Sequence, residues 1–177
     1  LISYLNLIRF FNPIGFWLLL WPGLWGLFLS ENMDISYFTI VVLGSFLTRS
    51  VGCAINDMID IQYDKKVDRT KNRPLANGDL TFKEALIFTI ILAAACLYLL
   101  SLTNIQTICL VLFVAIPMIV IYPLMKRFIA VPQLFLGATF GLSLPISYSM
   151  AEGYVSLEII FLYLGCIFWI LAYDSYY

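Results

Sequence analysis

The sequence predicts an all-α fold, a bundle of membrane-spanning helices, with about six spans in these 177 residues. Three observations carry that expectation. Apolar residues make up 62% of the chain and the mean hydropathy is +0.94. Charged residues make up only 12%, against roughly 25% in soluble domains. The ten Lys and Arg residues also fall on one side of a membrane if the spans simply alternate.

A helix needs about 20 residues to cross the bilayer core, and the segments follow from that length. The first spans 13–29 and carries Trp17, Trp21 and Trp25 four apart, on one helix face. Those indoles suit interface anchoring and packing; the sharper reading is an aromatic wall along a lipid-like substrate channel. The second segment is 36–55, with Arg49 in its last turns. The others are 82–100, 105–123, 132–150 and 156–172. The links at 30–35, 101–104 and 151–155 hold no Lys or Arg. Arg9, the stretch from Arg49 to Lys83, Lys126 and Arg127 therefore share the cytosolic side.

The net charge of −1 implies no polyanion or nucleic-acid partner. Cys53, Cys96, Cys109 and Cys166 sit in or beside apolar runs without C-x-x-C spacing, and read as small membrane-helix residues. The chain has no histidine, which excludes imidazole acid–base chemistry and His metal ligands.

One polar island, from Gly52 to Leu75, stands out. Asp57, Asp60, Asp64 and Asp68 are spaced three, four and four apart. On a continuous helix they share an arc of about 80°, with Asn56 at its edge. The row starts inside the end of a span, where ionisable groups are costly and usually functional. Oxygen donors four apart suit a hard divalent cation, and Mg2+ is often held by one or two carboxylates plus substrate phosphates. Lys65, Lys66, Arg69, Lys71 and Arg73 follow, and Lys126 and Arg127 reach the same side from another span. Cations beside metal-binding carboxylates can stabilise a leaving diphosphate. The plain alternative is a solvated loop whose charges pair with one another.

The island, G-C-x-x-N-D-x-x-D-x-x-x-D over 52–64 followed by R-T-x-N-R-P-L over 69–75, resembles the first Asp-rich motif of the UbiA superfamily of intramembrane prenyltransferases. Y-P-x-M-K-R at 122–127 is similar to its 4-hydroxybenzoate polyprenyltransferases in particular. So are L-x-R-x-x-x-P-x-G at 7–15, P-Q-x-x-L-G-x-x-F-G at 132–141 and A-Y-D at 172–174. The resemblance covers nearly the whole chain. It implies a nine-helix fold around a central cavity, and Mg2+-dependent transfer of a polyprenyl group from polyprenyl diphosphate to the ring of 4-hydroxybenzoate, in ubiquinone synthesis. It implies that Asn56, Asp60 and Asp64 face Mg2+ and diphosphate, with Asp57 and Asp68 supporting. Arg69, Arg73, Lys126 and Arg127 would contact the diphosphate and Arg9 the acceptor, while Arg49, seven residues before Asn56 on its helix face, could serve either substrate. A bacterial inner membrane is expected ahead of a mitochondrial one, with the catalytic face cytosolic.

The family's second motif, D-x-x-x-D, lies just beyond the equivalent of A-Y-D. Here Asp174 is present and Ser175, Tyr176 and Tyr177 follow. The expectation is one membrane domain over 1–177, incomplete at its C-terminus, with little or no turnover on its own. A UbiA-type enzyme for haem or naphthoate acceptors is the near alternative. A transporter, which would carry its charges at the bilayer midplane, and a bare structural subunit are the distant ones.

Overall fold

The computed structural model describes residues 1–125, 128 and 131–176. Its elements are helices in the order α1 (Ile2–Leu7), α2 (Ile14–Phe28), α3 (Ile35–Asp64), α4 (Pro74–Asn77), α5 (Phe82–Ser101), α6 (Ile105–Leu110), α7 (Ile116–Met125), α8 (Pro132–Gly141), α9 (Ser143–Glu152) and α10 (Leu157–Tyr176). A π-helical turn, Val111–Ala115, joins α6 to α7, so the two run on as one span.

Five helical stretches among the described residues are long and apolar enough to cross a membrane: Ile35–Asp64, Phe82–Ser101, Ile105–Tyr122, Pro132–Glu152 and Leu157–Tyr176. The first expected span forms the shorter apolar helix α2. The protein is an integral membrane α-helical bundle. Its exposed residues include Ile87, Ile90, Ile91, Phe113, Phe161 and Phe168, a surface that only lipid or protein can solvate well.

Local chemistry fixes the helix starts. The Asp34 carboxylate accepts from the Ser36 amide at 2.8 Å and caps α3. That backbone donor holds the Asp34 carboxyl below the usual carboxylate range. Thr81 and Glu84 form a capping box at α5: the Glu84 amide donates to the Thr81 hydroxyl, and the Thr81 amide donates to the Glu84 carboxylate at 2.8 Å. Asn104 caps α6 and also donates from Nδ2 to the carbonyls of Ser149 and Met150, at 2.7 and 3.0 Å. Nearby, the Glu152 carboxylate accepts from the Glu31 amide at 2.6 Å and from Asn32 Nδ2 at 3.0 Å. These bonds tie together the three connections that carry no Lys or Arg.

The interior is built on close helix crossings. α2 packs on α9 and α3, α3 on α5, and α10 on α8. Membrane helices gain little from the hydrophobic effect on association, so close backbone approach matters more. Gly26 shows it: a Cβ there would collide with the Leu144 carbonyl and the Ser147 side chain on α9. We expect Gly26→Val to destabilise the protein by about 1–3 kcal/mol through overpacking, read as a lower midpoint of thermal unfolding in detergent. Gly44→Ala is the control, because nothing lies within 4 Å of its added methyl.

The α2 indoles divide by environment. Trp17 and Trp21 stack at 6.3 Å and are each 46% exposed, whereas Trp25 is half-buried against Trp169 at 5.2 Å. All four cysteines are free thiols, Cys53 and Cys166 buried and Cys109 exposed.

Candidate functional site

α3 places the site. Thirty residues at 1.5 Å per residue make about 45 Å, longer than a hydrocarbon core of about 30 Å. The last turns of α3 carry Asn56, Asp57, Asp60 and Asp64 on one side. Asp57, Asp60 and Asp64 are all buried, and Asn56 is half-buried. Three buried carboxylates on adjacent turns are not a solvated loop.

The row does not extend to Asp68, and here the sequence expectation is corrected. α3 ends at Asp64, the Asp68 side chain is 97% exposed, and it pairs with Lys71 at 2.8 Å. The cause is local. Val67 is the one apolar residue between Lys65 and Arg73, so a continued helix would have no face to bury. The Thr70 hydroxyl instead donates to the Asp64 carbonyl at 3.1 Å, and the chain turns back through 65–73 into α4.

That turn brings Arg73 over the acidic face. Its Nη1 donates to Asp64 Oδ2 at 2.8 Å and to Asp57 Oδ1 at 3.2 Å. Arg9 Nη2 donates to the same Asp57 Oδ1 at 2.6 Å. Arg9 adopts φ of +59°, a left-handed conformation costly for a residue with a Cβ and found mostly where function or packing demands it. The Asp57 side chain is wholly buried, and its Oδ2 has no hydrogen-bond partner. The sequence reading made Asp57 a supporting group. The structure makes it the hub of an Arg9–Asp57–Arg73 cluster, a role its position in the motif does not reveal.

Arg49 makes no ion pair with a carboxylate among the described residues. Its guanidinium faces the Phe140 ring at 5.6 Å, within cation–π range. It rests against Gly15, where any Cβ would collide with it. Arg9 and Arg49 both line a cavity of about 230 Å³ walled by Phe10, Phe16, Trp17 and Phe46. The L-x-R-x-x-x-P-x-G stretch thus supplies both Arg9 and the glycine that seats Arg49; the spacing gave no sign of that second contact. Arg69 is exposed, and Asp174 is half-buried near the end of α10. Lys126 and Arg127 lie outside the described residues.

The donor set fits a hard divalent cation. Asn56, Asp60 and Asp64 offer only oxygen, on successive turns of one helix face. Among the described residues, no three acidic or cysteine side chains converge tightly enough to hold a metal ion alone. An ion there would complete its shell with substrate phosphate and water, the usual habit of Mg2+.

The UbiA prenyltransferase family model matches residues 19–177. The chain belongs to this family. It is 44% identical to the 4-hydroxybenzoate octaprenyltransferase of Polynucleobacter necessarius over 181 residues, covering 99% of this chain and 62% of that protein. It is also 44% identical to the protein of that name from Pasteurella multocida, covering 99% of this chain and 61% of the relative. The chain therefore spans less than two thirds of the length of these curated relatives. In fold it is similar to a UbiA homolog from Archaeoglobus fulgidus bound to GPP and Mg2+, with a TM-score of 0.77 at 21% identity. That match covers 97% of this chain and 61% of that one.

Proposed function

We propose that this UbiA-family chain serves Mg2+-dependent transfer of a polyprenyl group from polyprenyl diphosphate to the ring of 4-hydroxybenzoate, a step of ubiquinone synthesis. The observation that carries the reading is the buried face of Asp60 and Asp64, with Asn56 beside it and a cation at its rim. The names of the bacterial relatives support the acceptor, and the Mg2+ of the archaeal structure supports the metal.

In this reading Asn56, Asp60 and Asp64 would hold Mg2+, which would supply neutralisation of the charge on the departing diphosphate. Arg73 shares that task from the rim of the site, with Arg69, Lys126 and Arg127 as further diphosphate contacts. The allylic C–O bond ionises and the diphosphate leaves. The ring carbon ortho to the phenol then attacks the allylic cation, and that carbon's proton passes to the departed diphosphate or to water, restoring the aromatic ring. No covalent enzyme intermediate is required, so the protein's work is orientation, charge stabilisation and exclusion of water. Arg49 is the first choice for the acceptor carboxylate, because no carboxylate among the described residues neutralises it. Arg9, already held by Asp57, would contribute from the cavity wall. Asp174, near the end of α10, is a further candidate.

Residues 1–177 form a single membrane-embedded prenyltransferase domain in this reading. They carry the first acidic motif. The site faces the cytosol across a bacterial inner membrane. Expression of the complete gene product in a bacterium lacking its own 4-hydroxybenzoate prenyltransferase tests the function. Restored ubiquinone is expected. Unrestored ubiquinone, with the protein present in the membrane, would refute the acceptor assignment.

A further inference from the structure

We propose that Asp57 is a positioning residue that tethers Arg73, so that Arg73 competes with a metal ion for Asp64 and is passed to the diphosphate when Asp64 takes the metal. This rests on the functional reading above and assigns it a mechanism of loading.

The geometry is asymmetric. A single nitrogen of Arg73, Nη1, serves both carboxylates, at 2.8 Å to Asp64 and 3.2 Å to Asp57. The other guanidinium nitrogens make no hydrogen bond to any described residue. The Asp64 side chain is 10% exposed and Arg73 is 23% exposed, but Asp57 is 0% exposed. Asp64 is thus reachable from solvent, and Asp57 is not. Arg73 can release Asp64 and stay bound at Asp57.

The orphaned oxygen supplies the place for that change. Asp57 receives both arginines on Oδ1 and leaves Oδ2 buried without a partner. A buried acceptor in that state costs stability. When Arg73 gives up Asp64, Oδ2 can accept its second N–H, converting a shared contact into the two-pronged pairing that carboxylates and guanidinium favour. Arg9, bound to the same Asp57 oxygen at 2.6 Å, holds the carboxylate in place when Arg73 moves. The three residues form an anchor, a hinge and a moving cation.

The test is Mn2+ binding, followed by electron paramagnetic resonance on the protein in lipid nanodiscs, with and without inorganic diphosphate. Arg73→Gln removes the competitor: Mn2+ alone should bind about tenfold more tightly, while the gain in affinity brought by diphosphate should shrink. Asp57→Asn releases Arg73 fully onto Asp64: Mn2+ alone should bind about tenfold more weakly. The double variant Asp57→Asn/Arg73→Gln should bind Mn2+ as well as Arg73→Gln does. A merely structural Asp57 would leave the double variant no better than Asp57→Asn, and that result would overturn the proposal. Should Asp57→Asn not fold, Arg73→Gln decides alone, since unchanged Mn2+ affinity there refutes competition at Asp64. Absence of Mn2+ binding to the unmodified protein, with and without diphosphate, would instead overturn the functional reading and the loading mechanism together.

Discussion

Asp64→Asn in the complete gene product should slow prenyl transfer by about 10²- to 10³-fold, the usual loss when one group stabilising a developing charge is removed. The substitution keeps the size of the side chain and removes its charge. It therefore removes the carboxylate proposed to hold the metal while leaving the end of α3 in place. Asp60→Asn should fall in the same range, because both carboxylates are buried on the same face. Single-turnover rates, normalised to folded protein in the membrane, check both. Asp68→Asn should leave the rate unchanged, since its side chain is 97% exposed and bonded to Lys71. A large loss at Asp68 would mean that the acidic row continues past the end of α3.

Arg49→Met should raise the KM for 4-hydroxybenzoate by roughly 10- to 100-fold, with the KM for the prenyl diphosphate little changed. The magnitude is that of a hydrogen bond to a charged group, about 1.5–3 kcal/mol. Met keeps much of the apolar stem and removes the charge, together with its contact to the Phe140 ring. Gly15→Ala should act in the same direction and less strongly. Its methyl would meet the end of a flexible side chain, not backbone, and so would move the Arg49 guanidinium without dismantling the helix packing. Steady-state kinetics with both substrates varied separate the two affinities. Equal loss for both substrates would place Arg49 with the diphosphate.

These expectations show what the sequence made legible. Long apolar runs marked the spans, because length and hydropathy are enough to define a membrane helix. The spacing of Asp57, Asp60 and Asp64 marked one helix face, and the burial of all three agrees with it. The same periodicity could not say where the helix stops. It carried the row to Asp68, whereas the Thr70 hydroxyl on the Asp64 carbonyl and the fold-back of Arg73 end it four residues earlier. Long-range contacts were also hidden. Arg9 meets Asp57 across 48 positions through a left-handed backbone, and Gly15 makes room for Arg49 on another helix. No local pattern encodes such pairs; they arise when α1, α2 and α3 close on one another.

The most direct test is an assay of membranes containing the complete gene product, supplied with polyprenyl diphosphate and ring-labelled 4-hydroxybenzoate, with Mg2+ present or chelated. Label should pass into a ring-prenylated product only with Mg2+, and Asp60→Asn and Asp64→Asn should each abolish nearly all of it. Product formation that persists with Mg2+ chelated, or in either variant, would contradict a metal–diphosphate site on the buried face of α3.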